Sequence, residues 1–188
     1  MTKEKLKIEI AQLKKDIYSD DWETSRDSAC RLGKIGGDEG IDFLISLLAS
    51  DDHSLINIAA IALRDNKVNR AVYPLLKSIF KKENFNYNGT LVYALEELDC
   101  STKLVEIFKI LFYHSYESQI SANHILNKQI FAFTRNDLLK IKKMWDDIKL
   151  HPEKSSDSDS EEVRRVRQSA VDGFMGYLKP KVKKTNKK

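Results

Sequence analysis

The sequence predicts an all-α fold, mainly because two rows of apolar residues repeat along the chain. The first row is separated by 31, 32 and 31 positions and consists of Leu32, Leu63, Leu95 and Leu126. The second row has the same separations and consists of Leu44, Leu75, Ile107 and Leu138. Seven glycines and three prolines are few turn-forming residues for a many-stranded β fold. Two rows with one period indicate a helical repeat array, in which each short unit buries its apolar face against its neighbours.

The predicted elements follow in order from the helical spacing of apolar residues. An amphipathic helix covers residues 3–19, with its stripe at Leu6, Ile10, Leu13 and Ile17. Four pairs of helices follow: 22–34 with 39–49, 55–64 with 71–82, 90–98 with 103–113, and 118–127 with 137–148. Gly36-Gly37 is predicted to be the first turn, and Asn88-Gly89 a turn that starts a helix. Small residues predicted to allow close helix packing are Ala29, Ala60, Val92 or Ala94, and Ala122.

Residues 26–37 (RDSACRLGKIGG), followed by 44–48 (LISLL), resemble the HEAT repeat in the short bacterial form also found in bilin lyase subunits. The glycine turn is replaced at 99–101 and 130–134, and residues 163–174 resemble the first helix of another unit. The resemblance implies a right-handed α-solenoid of about four HEAT-like hairpins with capping helices at both ends. Short arrays of this family often act as adaptors or as immunity-type inhibitors that sequester a toxin. The HEAT-type DNA glycosylases of similar shape make base excision a distant third interpretation.

The domain organisation predicted from these patterns is one HEAT-like domain over residues 1–178 and a disordered basic tail over 179–188. Its parts are a capping helix 3–19, repeats 20–51, 52–84, 85–115 and 116–148, a mobile loop 151–162 and a capping helix 163–178. The loop is predicted from its polar composition, which is rich in Ser and Asp.

The net charge of +4 is concentrated in the tail. The last ten residues hold six lysines and no acid, whereas residues 21–178 carry 21 basic and 24 acidic side chains. We find no secretion signal and expect no membrane span, because the most apolar stretch, 41–49, is half the length needed. Two cysteines, Cys30 and Cys100, do not make a disulfide scaffold in a chain of this length, so we expect a cytoplasmic protein.

Catalytic and metal-binding patterns are not found in the sequence. It has no phosphate-binding glycine loop, no nucleophile elbow and no pair of histidines at i, i+4. We therefore predict a protein that is not an enzyme and uses no metal or cofactor. Of the four dispersed histidines, His124 is predicted to be a partly buried packing residue. A glycosylase would depend on an aspartate such as Asp42 or Asp137 and on Trp22 or Trp145, but no motif of that family is present.

A candidate partner-binding face is predicted by projecting the repeat onto the second helices. Positions two residues after the second apolar row face away from the core, and they are Ser46, Lys77, Lys109 and Lys140. With neighbouring positions, the predicted binding residues are Tyr73, Lys77, Lys81, Lys109, Tyr113, Lys140 and Lys143. They favour another protein with an acidic patch as the partner. Nucleic acid, bound by the same lysines and the tail, is the alternative, and a merely solvated face explains the lysines equally well.

Overall fold

Helices account for all of the regular structure in the computed structural model, which describes residues 2–155 and 160–178 of the chain. Their bounds are α1 (Lys3–Asp16), α2 (Trp22–Ile35), α3 (Gly37–Leu47), α4 (His53–Asp65), α5 (Val72–Ile79), α6 (Gly89–Leu95), α7 (Leu104–Tyr113), α8 (Tyr116–Lys128), α9 (Arg135–Leu150) and α10 (Glu161–Met175). Short 3-10 turns cover Asn69–Ala71, Lys82–Asn84, Pro152–Lys154 and Gly176–Leu178. The all-α class predicted from the sequence is confirmed for the described residues.

Side-chain caps start several of these helices. Asp21 accepts a hydrogen bond from a backbone N–H of the first turn of α2, and Asp52 does the same for α4. Thr134 and Asp137 form a reciprocal capping box at the start of α9, and Ser160 caps α10. Each cap satisfies backbone donors that have no partner inside the helix, so the chain enters these helices at defined residues.

Successive helices along the chain pack against one another. The helices α2, α4, α6 and α8 contact each other in that order, and α1 also packs against α2. The helices between them lie against this row: α3 contacts α2 and α4, α5 contacts α6, and α7 contacts α8 and α9. The last helix, α10, packs on both α8 and α9.

Both apolar rows of the repeat lie in the core. All eight residues of the two rows are at most 6% exposed. Ala29, Ala60, Ala94 and Ala122 are completely buried where α2, α4, α6 and α8 meet, as predicted for close helix packing. The repeated spacing of apolar residues in the sequence therefore identifies core positions of successive helical pairs.

The turn between α2 and α3 requires glycine at two positions. Gly37 has a φ of +55°, which residues with a Cβ rarely adopt. A Cβ on Gly36 would lie 2.6 Å from the carbonyl oxygen of Leu32 and 2.8 Å from the Cα of Gly40. The glycines thus permit α3 to begin directly after α2 ends.

Several helix ends differ from the sequence prediction by one to three residues. Helix α5 ends at Ile79, three residues before the predicted end, because Asn84 folds back and donates to the Ser78 carbonyl at 3.0 Å. Helix α6 ends at Leu95, and the Gln129 amide satisfies the carbonyl of Leu98 at 2.8 Å. Side chains from outside these helices thus replace the helical hydrogen bonds that periodicity predicts.

The predicted mobile loop 151–162 is partly ordered. Its start forms the 3-10 turn Pro152–Lys154, and Ser160 to Glu162 belong to the cap and first turn of α10. Residues 156–159 of the loop and the predicted basic tail 179–188 lie outside the described residues.

Candidate binding surface

A cleft between α3 and α5 contains three of the seven predicted binding residues. Its volume is about 500 Å³. It is lined by Ile45, Leu48, Ala49, Tyr73, Pro74, Lys77, Ser78 and Lys81. Apolar atoms form most of this lining, and the two lysines supply positive charge. The cleft therefore combines an apolar surface with cationic groups.

Helix α5 determines which side chains reach the cleft. Leu75, Leu76 and Ile79 bury one face of this helix in the core. Tyr73 and Lys77, one helical turn apart, lie on the opposite face, and Tyr73 is 70% exposed. An exposed tyrosine beside an apolar cleft is a large contact surface that the fold itself does not use.

Lys81 is engaged in an ion pair at the cleft. Its amine lies 2.9 Å from Oδ1 of Asp51. This hydrogen bond raises the pKa of Lys81 and lowers the pKa of Asp51, although burial opposes both shifts. Because the Asp51 side chain is 96% exposed, water screens the pair, and a carboxylate from a partner can replace Asp51.

Lys109 lies over an aromatic ring at the end of α5. Its amine is 4.4 Å from the centre of the half-buried Phe80 ring, within the range of a cation–π contact. Among the described residues, no carboxylate forms an ion pair with Lys77, Lys109 or Lys143. All three lysines are exposed to solvent.

The remaining predicted residues lie on α7 and α9 and do not line the cleft. The Tyr113 hydroxyl lies 3.3 Å from Oδ2 of Asp147 and 3.4 Å from the Met144 carbonyl. Burial raises the pKa of Tyr113 to about 12, so this side chain joins α7 to α9 as a neutral phenol. The amine of Lys140 is 3.7 Å from Oδ1 of Asp137. The predicted face is thus divided into a cleft at α3 and α5 and a more polar part at α7 and α9.

The acidic and aromatic residues considered for base excision have structural contacts. Asp42 forms an ion pair with Arg70 at 2.5 Å. Hydrogen bonds from the backbone and side chain of Thr134 lower the pKa of Asp137 in its capping box. Trp145 stacks on Phe112 with ring centres 5.6 Å apart. These contacts account for the positions of the residues in the fold.

The buried histidine is His114 and not His124, a correction to the sequence prediction. The His124 side chain is 60% exposed and lies 3.6 Å from Glu96. His114 is 2% exposed and is enclosed by the rings of Phe80 and Phe85. The sequence offers no periodic signal for His114, because it follows the last residue of α7 and belongs to neither apolar row.

A continuous buried polar network surrounds His114. Asn88 is completely buried; its amide nitrogen lies 2.7 Å from Nδ1 of His114, and its oxygen accepts from the Ser118 hydroxyl at 2.7 Å. Since Asn88 also donates to the Ile79 carbonyl, Nδ1 of His114 is the acceptor and its proton lies on Nε2. Burial, reinforced by the charge of Lys109, lowers the pKa of His114 to about 4.

The network extends to the last helix. Gln119 donates to the His114 carbonyl at 2.6 Å and accepts from Arg167 at 3.0 Å. Arg167 is 2% exposed and also donates to the carbonyl of Leu111 and to the hydroxyl of Ser155. The network thus joins the ends of α5 and α7 to α10 through hydrogen bonds.

Comparisons with known proteins identify no relative for this chain: no family model matches it, and the search of curated proteins found no similar sequence. Within residues 2–155 and 160–178, no helix combines the length and apolar character needed to cross a lipid bilayer. In the same ranges, no three His, Cys, Asp or Glu side chains are grouped closely enough to hold a metal ion.

Proposed function

We propose that this chain is a non-enzymatic, cytoplasmic protein-binding module built as a right-handed α-solenoid of HEAT-like hairpins. The consecutive contacts of α2, α4, α6 and α8 support this architecture, since stacked hairpins bring their first helices together. The two fully buried apolar rows, which share one period, also support it. Cys30 and Cys100 are both free thiols, in keeping with a reducing compartment.

The cleft between α3 and α5 carries the functional part of the proposal. Its apolar lining suits one large apolar side chain of a partner, and Tyr73 adds a rigid aromatic surface at its edge. Lys77 and Lys81 would meet carboxylates flanking that side chain. The proposed partner is therefore a protein whose binding segment places Asp or Glu residues on both sides of an apolar anchor.

Either class of partner-binding protein named by the HEAT resemblance can use such a cleft. An adaptor would hold the acidic segment while other surfaces stay free, and an immunity-type inhibitor would cover the active surface of a toxin. Identification of the bound protein separates these two roles.

Nucleic acid is the second candidate partner, and the exposed amines of Lys77, Lys109 and Lys143 are the observation that favours it. Phosphate contacts by these lysines would give binding that weakens steeply with salt. A protein anchored in the apolar cleft would be held with much less dependence on salt, because burial of apolar surface provides most of the affinity.

The test is capture of partners from the native extract, with and without nuclease, followed by affinity measurement on the captured protein. Tyr73→Ala is expected to weaken the complex about 30-fold, the loss typical of a central aromatic contact, while leaving thermal stability unchanged. Tyr177→Ala is the matched control, because Tyr177 is also 70% exposed but lies after α10. Lys77/Lys109/Lys140→Glu is expected to reduce the affinity further.

The outcomes separate the candidates. A protein that is retained after nuclease treatment, binds wild type and Tyr177→Ala equally and loses affinity in Tyr73→Ala supports the proposal. Capture that disappears with nuclease assigns the surface to nucleic acid. Equal binding of one partner by wild type, Tyr73→Ala and the lysine variant would show that this face is only solvated.

A further inference from the structure

We propose that the cleft between α3 and α5 is gated by the ion pair between Lys81 and Asp51, which holds the two helices together at one end of the cleft. Lys81 follows α5, and Asp51 lies in the loop between α3 and α4, so the pair connects the C-terminal ends of the two helices. The inference concerns the regulation of the site described above. It rests on the proposed function for the kind of partner segment that enters the cleft.

The middle parts of α3 and α5 are not packed tightly against each other. Helices α7 and α9, which are the second helices of the last two pairs, are in extensive contact, whereas α3 and α5, both described in full, have no comparable contact. The cleft of about 500 Å³ lies between them, with Leu48 on the α3 side and Pro74 on the α5 side. Contacts at the two ends of the cleft therefore have a large influence on its width.

The N-terminal ends of α3 and α5 are joined by Arg70, which lies just before α5. Its guanidinium donates to the Asp42 carboxylate at 2.5 Å, and to the backbone carbonyl and the carboxylate of Asp38 at 3.2 and 3.4 Å. Because a planar guanidinium donates to several acceptors at once, the loss of one hydrogen bond does not release the others. This group of contacts is therefore the fixed end of the cleft.

The C-terminal ends are joined by a weaker contact. Among the described residues, Lys81 has one carboxylate within ion-pair distance, that of Asp51 at 2.9 Å. The Asp51 side chain is 96% exposed, against 65% for Asp42 at the other end. An exposed ion pair of this kind shifts an equilibrium by about fivefold at most. This contact can therefore open and form again while the contacts of Arg70 remain in place.

The ion pair couples the recognition of an acid to the entry of an apolar side chain. A carboxylate of the partner competes with Asp51 for the Lys81 amine. When it displaces Asp51, α5 is no longer tied to the loop after α3, and the cleft can widen at this end. A segment without an acid beside its apolar anchor does not displace Asp51 and meets the narrower cleft. The acid thus shifts the cleft towards its open form, because it binds that form better.

The experiment is titration of the full chain with indole, followed by the NMR signal of the δ1 methyl group of Ile45, which lines the cleft. Indole is neutral, so it reports the width of the cleft without competing for Lys81. Asp51→Ala is expected to bind indole about 2- to 5-fold more tightly than the wild type, because the wild type loses the stabilisation of the ion pair when the cleft opens. The difference is expected to disappear at about 0.5 M NaCl, where salt screens the pair.

Glu39→Ala is the matched control for Asp51→Ala. Glu39 is also an exposed acid in an ion pair, but its partner is Lys14 of α1 at 2.6 Å, so this pair does not span the cleft. The control is expected to bind indole with the affinity of the wild type. The methyl signal of Ile125, which is completely buried in α8, is expected to stay unchanged in every titration. Far-UV circular dichroism establishes that both variants are folded.

Two peptides test the proposed function separately from the gate. The peptide acetyl-EEWEE-amide places acids on both sides of an aromatic anchor, and acetyl-QQWQQ-amide keeps the anchor without the charges. The acidic peptide is expected to bind the wild type more tightly and to shift the same Ile45 signal as indole.

The outcomes distinguish failure of the gate from failure of the proposed function. Equal indole affinity of the wild type and Asp51→Ala at low salt overturns the gate, and a preference for the acidic peptide then leaves the proposed function standing. Tighter indole binding by Asp51→Ala without a preference for the acidic peptide supports the ion pair as the gate and overturns the acidic partner segment. If indole shifts the Ile45 signal in no variant, or if the difference between wild type and Asp51→Ala persists at high salt, the gate is also overturned.

Discussion

Acidification is expected to destabilise this fold through one buried side chain, His114. The folded protein holds the pKa of His114 at about 4, against an ordinary value of 6.5. At pH values between these two pKa values, the unfolded chain therefore binds a proton at His114, whereas the folded chain does not. The stability contributed by the neutral imidazole is complete above pH 6.5 and is lost as the pH falls towards 4.

The size of this loss follows from the shift in pKa. At 1.36 kcal/mol per unit, the full difference is about 3 kcal/mol, of which about 2 kcal/mol is lost by pH 5. The structural reason is the contact with Asn88: a proton on Nδ1 would face the amide N–H that now donates to it. The charged ring would also lie against two phenylalanine rings with little water to solvate it.

Urea unfolding, followed by circular dichroism at pH 7.5, 6.5, 5.5 and 5.0, measures this dependence. His114→Asn removes the titrating group and keeps an acceptor for Asn88, so it is expected to be less stable at pH 7.5 but to lose about 2 kcal/mol less than wild type on going to pH 5. His124→Gln, at the exposed histidine, is expected to retain the wild-type pH dependence. Equal losses in wild type and His114→Asn would refute the assignment to His114.

Two further predictions concern stability and thiol reactivity. Gly36→Ala is expected to lower the free energy of unfolding by about 1–3 kcal/mol, because the added Cβ would overlap the Leu32 carbonyl. Gly173→Ala is expected to raise the free energy of unfolding by about 0.5–1 kcal/mol, because the space around Gly173 in α10 is open. Thermal unfolding of the two variants measures both effects. Burial raises the pKa of the half-buried Cys30 and raises the pKa of Cys100 to about 12. With a thiol reagent at pH 8, Cys30 is therefore expected to react slowly, and Cys100 is expected to react only after denaturation. Rapid reaction of both thiols in the native protein would contradict this order.

The core was predictable from the sequence because apolar periodicity is a direct consequence of burial. Leu44 and Leu75, for example, are completely buried at equivalent places in their helical pairs. Helix ends were less predictable. Gln129 satisfies backbone groups at Leu98 and Cys100, about 30 positions away, and no local pattern encodes such a contact.

For the candidate surface, the sequence predicted which side chains are exposed but not which side chains contact each other. Projection of the repeat correctly places Lys77 and Lys109 on the exposed side of their helices. It does not predict that Lys81 pairs with Asp51 or that Tyr113 is used to join two helices, because both contacts depend on the distance between neighbouring helices. A cavity of about 660 Å³ between α9 and α10 was missed for a related reason: its walls come from two helices separated by a loop of irregular sequence.

The buried polar network from Asn88 to Arg167 makes one end of the fold depend on specific side-chain pairs, whereas the other end depends on apolar packing. The helices α2 and α4 meet near small, completely buried side chains, Ala29 and Ala60, and such a contact does not depend on particular hydrogen-bond partners. At the other end, hydrogen bonds join the His114 carbonyl to Gln119 and Gln119 to Arg167, so the contact depends on the positions of particular polar groups. We therefore expect a change in helix spacing to cost more stability at α7, α8 and α10, where it breaks these hydrogen bonds, than between α2 and α4.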